Sequence, residues 1–409
     1  MPVAPKIQSS PSSRTTSQQG GFRIVAILRT LNVPILLVTL ILVSYGLLVV
    51  WTATLDSNEY NFNRQLIGVG AGIVLMLVLW RVDYSRLSGF TYLLFGLCIL
   101  FVIMPLFPVI GYSAGGAQRW VVIFGQRFQP TELAKIFYIL YAASLLARYK
   151  GRLTSGTEYL KCFALLIAPS ALVVLQPDLG TAIVFFVIGL AILFAGGAKR
   201  RWLIITVVLM VLAFIAVFAL DSVLDEALGR DVLIKDYQKA RLLVFLNPDF
   251  DPDGAGYNLK QAQIAIGSGG LFGKGLGNAT QSTLGFLPEA PTDFIFCVLA
   301  EEFGFLGSMV LILLYTIVMF LVLRVAFNSY DFYGTLIITG ILSMWIFQIF
   351  ENIGMNLGLM PSTGITLPFI SFGTSAMLVN FIALGFVLSV WAHRNPIKSG
   401  VSQPGRKVQ

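Results

Sequence analysis

Charged side chains are scarce in this chain of 409 residues, at 12% of the total, about half the share of an average soluble domain. Without that solvating surface, a water-soluble globule is excluded. Histidine occurs once; His393 follows the last apolar run among basic residues and reads as a solvated flank. The three cysteines, Cys98, Cys162 and Cys297, all lie inside apolar runs. They form neither a disulfide framework nor a metal site with ligand spacing, and they read as buried free thiols. The first 21 residues lack the apolar centre of a cleavable signal peptide. With Ser9-Ser10-Pro11-Ser12-Ser13 and Gln18-Gln19-Gly20-Gly21 they read as a disordered tail. No solenoid-like repeat is evident.

What the chain has in excess is apolar mass: 56% hydrophobic residues and a mean hydropathy of +0.82. About ten spans of about 20 residues each would absorb roughly half the chain. The expected fold class is an all-α polytopic membrane protein with ten transmembrane helices. The runs lie near Val33 to Thr54, Leu66 to Trp80, Gly89 to Ile110, Pro130 to Ala147, Leu160 to Leu175, Leu179 to Ala195, Trp202 to Leu220, Phe303 to Leu323, Phe332 to Phe350 and Ser375 to Trp391. Their continuous apolarity favours helices over a barrel, whose strands are about ten residues long and alternate in polarity.

The net charge of +8 comes from 28 Lys and Arg against 20 Asp and Glu. In a membrane protein such an excess points to cytoplasmic loops rather than to nucleic acid. With ten spans and both termini inside, 18 of the 28 basic residues fall in cytoplasmic segments, including Lys199-Arg200-Arg201. The longest inter-span segment, the 71 residues from Asp221 to Pro291, then faces outward between helices 7 and 8. Its apolar stretches, 242–246, 264–266 and 284–287, point to a structured extracytoplasmic loop with amphipathic pieces at the outer interface. The expected organisation is a cytoplasmic tail over 1–21, a membrane domain over 22–394 with its large loop at 221–291, and a cytoplasmic tail over 395–409.

Ionisable residues at membrane depth cost about 3 kcal/mol each, so they face a cavity or a partner. Glu132 and Lys135 lie three apart on one face of the fourth span. They read either as a self-neutralising pair or as a charged wall of a polar cavity. Trp120 suits the headgroup level, but its neighbour Arg119 runs against the positive-inside trend and invites an external anion. The run Gly267-Ser268-Gly269-Gly270-Leu271-Phe272-Gly273-Lys274-Gly275-Leu276-Gly277 has the composition of a phosphate loop without a Walker pattern. Close backbone packing is the competing explanation. Asp293 precedes seven uncharged residues at the mouth of the eighth span. Desolvation there could make it a usable base, while Thr292 or Asp293 also suits a helix cap. Glu301 and Glu302 in the same helix need polar partners. The helix breakers from Asn352 to Gly373 suggest broken backbone lining a cavity open to the outer leaflet.

Together these segments closely resemble the SEDS family (shape, elongation, division and sporulation), within it the RodA branch. The resemblance rests on Gly116-Ala117-Gln118-Arg119-Trp120, Gln129-Pro130-Thr131-Glu132-Leu133-Ala134-Lys135, Gln176-Pro177-Asp178-Leu179-Gly180-Thr181, Asp251-Pro252-Asp253-Gly254-Ala255-Gly256-Tyr257-Asn258, the glycine-rich run, Leu287 to Phe296 and Asn352 to Phe372. It implies a peptidoglycan glycosyltransferase of the bacterial cytoplasmic membrane. Such an enzyme polymerises lipid II at the outer face during cell elongation, beside a class B penicillin-binding protein that crosslinks the glycan. Asp293 would be the catalytic base on the acceptor's GlcNAc 4-hydroxyl, with undecaprenyl diphosphate leaving from the donor. Arg119, Lys135 and Lys274 would offset diphosphate charge, and Trp120 and Glu132 would shape the cavity. The resemblance specifies no metal ligands; a divalent cation, magnesium or manganese, is compatible with the diphosphate.

The chain departs from the family pattern in three places. Pro291 stands where members often carry His before the Thr-Asp pair. Ser371-Phe372-Gly373-Thr374-Ser375 replaces a Ser-Tyr-Gly-Gly-Ser segment. Gly275-Leu276-Gly277-Asn278 and Pro288-Glu289-Ala290 lean toward the FtsW division branch, whereas Lys274, Thr280-Gln281-Ser282 and Asn352-Ile353-Gly354-Met355 lean toward elongation. A flippase for lipid-linked precursor and a non-catalytic scaffold are the rival functions.

Overall fold

The computed structural model describes residues 30–55, 60–107, 111–114, 117–123, 126–228, 234–247, 249–251 and 254–394. The expected tails, 1–21 and 395–409, lie outside the described residues. Each of the ten apolar runs folds as a helix: α1 (Val33–Ala53), α2 (Phe62–Arg81), α3 (Thr91–Ile103), α4 (Pro130–Ala147), α5 (Gly156–Val174), α6 (Leu179–Ala195), α7 (Arg200–Leu228), α11 (Ile295–Phe327), α12 (Phe332–Asn356) and α13 (Thr374–Ala392). Between α7 and α11 lie α8 (Asp236–Leu246), α9 (Ala255–Ser268) and the short α10 (Thr280–Thr283). Seven helices, α1, α2, α5, α7, α11, α12 and α13, are long and apolar enough to cross a membrane. α6, and α3 with its 3-10 extension to Leu106, are apolar but shorter. α4 is interrupted chemically by Glu132 and Lys135.

The helix starts follow local chemistry. Asn32 accepts from the Ile35 N–H at the head of α1, where Pro34 costs no hydrogen bond. Asp178 caps α6 through the Thr181 N–H, and Asp331 caps α12 through the Gly334 N–H. α4, α12 and α13 form the buried centre of the bundle. α2 packs tightly on α13, since a side chain at Gly72 would strike the Phe381 ring and one at Gly385 would meet the backbone of Met76. α7 turns apolar side chains outward on almost every face, which is stable only in lipid.

Two features correct the sequence expectations. The chain is not wholly α-helical: β1 (Gly111–Ala114), β2 (Ala117–Ile123) and β3 (Gln126–Phe128) form a three-stranded antiparallel sheet, with Tyr112 opposite Trp120 and Val122 opposite Arg127. Short alternating stretches between α3 and α4 are compatible with strands, and the glycines at 111, 115 and 116 obscure that alternation in sequence. Second, α11 starts at Ile295, ahead of the apolar run expected near Phe303: Lys274, Thr280 and the Gln281 N–H partner Glu301, and the Gly277 N–H donates to one oxygen of Glu302 at 3.0 Å. The helix breaks at Gly304 (φ 65°, ψ −161°), and the glycine-rich run repairs the break. The N–H groups of Lys274 and Gly275 donate to the carbonyls of Glu301 and Glu302 at 2.9 and 3.0 Å, and those of Phe305 and Leu306 donate to Gly270 and Leu271 at 2.9 and 3.1 Å. Broken backbone at this depth persists only with such partners. A Cβ at Gly304 would collide with the Gly273 backbone; close packing is what these glycines do.

Candidate active site

α11 is entered through a tight turn. The Glu289 carbonyl accepts from the N–H groups of Thr292, Asp293 and Phe294 at 3.2, 3.1 and 3.3 Å. The Glu289 carboxylate is held by the hydroxyls of Thr292, at 3.1 Å, and of Tyr60. Asp293 leaves this turn just ahead of the helix, and no side chain caps α11, so the capping alternative is not realised. Two asparagines one turn apart on α12 grip the Asp293 backbone: Asn352 Nδ2 and Asn356 Nδ2 donate to its carbonyl at 2.9 and 3.2 Å. On the opposite side the Ser371 hydroxyl donates to the Thr292 carbonyl at 2.7 Å, and the Phe372 N–H donates to the Pro291 carbonyl at 2.8 Å.

The fixed backbone presents the half-buried Asp293 carboxylate beside a cavity of about 500 Å³. Side chains such as Ile183, Phe186, Phe214 and Phe347 make most of its wall apolar, while Arg119, Asp178, Arg241, Glu351 and Thr363 bring polar groups into it. Asp293 is not itself in the lining. It meets the cavity past Gly364 (φ 75°), where a Cβ would lie 3.0 Å from Asp293 Oδ2 and 3.6 Å from Arg241 Nη1. Arg119 lies 3.7 Å from Asp178, and its buried Nε has no hydrogen-bond partner. The Arg241 guanidinium lies 5.9 Å from the Tyr237 ring, and the Tyr237 hydroxyl anchors α8 on the Pro177 carbonyl at 2.6 Å.

Burial pushes the Asp293 carboxyl from its ordinary 3.8 up to about 6; Arg241, and less strongly Arg119, pull it back down, while Glu289 adds to the rise. Such a group is mostly ionised at neutral pH yet far more basic than an exposed aspartate, which suits a general base. The arginines meanwhile suit an anion at the polar end of an apolar cavity.

Of the residues singled out in sequence, Asp293 and Arg119 are brought together. Lys135 is buried and bonded to Glu132 at 2.7 Å, and neither lines the cavity. Trp120 sits on β2 opposite Tyr112, also outside the lining. Lys274 donates to Glu301 at 2.5 Å and to the Thr280 hydroxyl at 2.8 Å. Glu301 also accepts from the N–H groups of Thr280 and Gln281 at 3.0 and 3.2 Å. Lys274 is therefore spent on a buried carboxylate rather than presented to an external phosphate. Arg241 and Glu351 were absent from the sequence-derived set. Among the described residues no three His, Cys, Asp or Glu side chains cluster, so these side chains form no cage for magnesium or manganese.

The chain matches the cell cycle protein family FtsW/RodA/SpoVE over residues 32–396. It is 36% identical over 372 residues to the peptidoglycan glycosyltransferase MrdB of Escherichia coli (strain K12), covering 91% of this chain and 96% of that protein. It is 36% identical over 368 residues to a probable peptidoglycan glycosyltransferase FtsW of Coxiella burnetii, covering 87% and 95%. A chain in a structure describing how a peptidoglycan synthase complex coordinates polymerisation and crosslinking superposes with a TM-score of 0.70 at 29% identity, covering 89% of this chain and 98% of that one. Family model and whole-length relatives agree with the helical bundle already described: the chain is a multi-pass membrane protein of the FtsW/RodA/SpoVE family.

Proposed function

We propose that this protein is a peptidoglycan glycosyltransferase that polymerises lipid II at the outer face of the bacterial cytoplasmic membrane, with Asp293 as its general base. The observation that carries the assignment is a half-buried carboxylate, raised to about 6, beside a cavity bearing Arg119 and Arg241. The Asp293 carboxylate takes the proton of the acceptor's GlcNAc 4-hydroxyl. The oxygen bonds to the anomeric carbon of the donor MurNAc, whose bond to undecaprenyl diphosphate breaks. Arg241 and Arg119 balance the charge left on the departing diphosphate, and the proton on Asp293 passes to outer water. General-base assistance of this kind contributes about 10²–10⁴-fold.

In this reading α3, α4 and α6 complete ten spans with both termini cytoplasmic, a topology favoured by the basic triplet at 199–201. A class B penicillin-binding protein crosslinks the product. The elongation role rests on Lys274, Thr280-Gln281-Ser282 and Asn352 to Met355. Division is the second reading, favoured by Gly275 to Asn278, by Pro288 to Ala290 and by the FtsW relative's equal identity.

The test is polymerisation of lipid II by the purified chain with its transpeptidase partner. Asp293→Ala is expected to abolish polymer while the protein stays folded. Full-rate polymer from that variant refutes the base assignment, and loss of lipid movement with polymerisation intact favours a flippase. Depletion in the source cell separates the branches: rounded cells are expected, and filaments indicate division.

A further inference from the structure

Gln65 sits in the first turn of α2, is 0% exposed and has no part in the reaction described so far. An apolar side chain would fill this place in a membrane helix without the cost of burying an amide. Both ends of that amide are engaged. Gln65 Nε2 donates to the Ser371 carbonyl at 3.1 Å, and the Gly373 N–H donates to Gln65 Oε1 at 3.0 Å. Close packing of α2 on the start of α13 brings them within reach, since a Cβ at Gly68 would lie 3.3 Å from the Thr374 Cα.

What Gln65 holds is the loop that holds the turn before Asp293. The Ser371 carbonyl and the Phe372 N–H belong to one planar peptide group. Gln65 bonds the oxygen end of that plane, and the N–H end donates to the Pro291 carbonyl at 2.8 Å. The plane cannot swing at one end without leaving its partner at the other. Ser371 adds a second link. Its hydroxyl accepts from the Leu367 N–H at 2.8 Å, and its one proton goes to the Thr292 carbonyl at 2.7 Å. The Thr292 carbonyl in turn shares a peptide plane with the Asp293 N–H, which donates to the Glu289 carbonyl at 3.1 Å. The carbonyl on the far side of Asp293 is fixed by Asn352 and Asn356. The Asp293 backbone is therefore clamped from two directions, by α12 directly and by α2 through residues 371–373.

We propose that Gln65 is a positioning residue for polymerisation: through Ser371 and Phe372 it fixes the peptide that leads into Asp293, and with it the direction of the Asp293 carboxylate toward the acceptor hydroxyl. This inference rests on the polymerase reading. A general base works only within hydrogen-bond reach of the proton it takes, and a displacement of about 1 Å costs about 10²-fold in rate. Gln65 lies outside the cavity lining, so its replacement leaves in place the groups that meet the diphosphate.

The experiment measures kcat and KM for lipid II polymerisation by the full chain with its transpeptidase partner, expressed per folded molecule. Absence of wild-type polymer overturns the polymerase reading, and this inference with it; once wild-type polymer is seen, the remaining outcomes bear on Gln65 alone. Gln65→Met keeps the length of the side chain and removes both bonds. It is expected to lower kcat about tenfold to a hundredfold with KM changed less than about threefold. Ser371→Ala, which breaks the next link, should show the same split. Because the two residues act in one chain of contacts, the double variant should fall no more than about threefold below the slower single variant. Gln65→Asn is one methylene shorter and cannot span both partners, so it should show a smaller fall in kcat, and it carries the test if Gln65→Met fails to fold. An unchanged kcat per folded molecule, even with stability lost, overturns the proposal, because Gln65 would then only hold the fold together. A rise in KM at constant kcat also overturns it, as do losses from Gln65→Met and Ser371→Ala that multiply.

Discussion

At the residue scale the site is governed by what surrounds two carboxylates and two guanidiniums. The Asp293 carboxyl binds its proton more tightly in the folded protein than in the unfolded chain. Its contribution to stability is therefore complete below its ordinary pKa near 4 and is lost as pH rises through about 6. Asp293→Asn should raise stability at pH 7.5 by up to about 3 kcal/mol, and the gain should shrink toward pH 4.5. Thermal unfolding at the two pH values checks this, and a variant less stable than wild type at pH 7.5 contradicts it. Gly364→Ala would place a methyl 3.0 Å from Asp293 Oδ2 in a left-handed backbone conformation. It should cost about 1–2 kcal/mol in strain and reduce polymerisation more than it reduces stability. Asp293 and Arg119 were legible in sequence because each breaks a local rule, an acid at the lip of an apolar span and an arginine on the outer side. Arg241 was not, since it is one basic residue in an amphipathic stretch and meets Asp293 only through the fold. Glu351 lies one residue beyond the expected end of its span at Phe350, and reading the helix through Asn356 exposes it as an acid inside an apolar helix.

At the element scale the glycine-rich run and the kink in α11 are a single device. The run supplies the hydrogen bonds that Gly304 removes from the helix, and Lys274 neutralises Glu301, which is 1% exposed on its side chain. If Lys274 is structural, Lys274→Ala should destabilise the protein by about 1–3 kcal/mol, and Glu301→Gln in the same chain should recover part of that loss. KM for lipid II should stay near wild type. A large rise in KM without a change in stability would return Lys274 to the substrate. The sequence could not separate these roles, because a glycine-lysine run looks the same whether its amides face a phosphate or a helix carbonyl. The small sheet was missed for a related reason: three-to-seven-residue strands between two long apolar helices carry too few alternations to stand out.

At the scale of the whole molecule the apolar periodicity was the strongest signal, and all ten runs fold as helices. Continuous apolar stretches are dictated by the bilayer rather than by tertiary contacts, so they are readable without the fold. Orientation is testable by thiol labelling, because Cys98, Cys162 and Cys297 are all buried and give little background. A cysteine introduced at the exposed Phe286 should react with a membrane-impermeant maleimide in intact spheroplasts, and one at Arg394 should react only after permeabilisation. The reverse pattern would put Asp293 on the wrong side of the membrane for lipid II at the outer face.

The central claim is that polymerisation depends on the ionised Asp293 carboxylate, and the pH dependence of kcat/KM for lipid II tests it most directly. The rate should rise with pH on an acid limb centred near the free enzyme's value of about 6, and Asp293→Asn should remove both the limb and most of the rate. A flat profile from pH 5 to 8, or an unchanged limb in Asp293→Asn, would contradict the account.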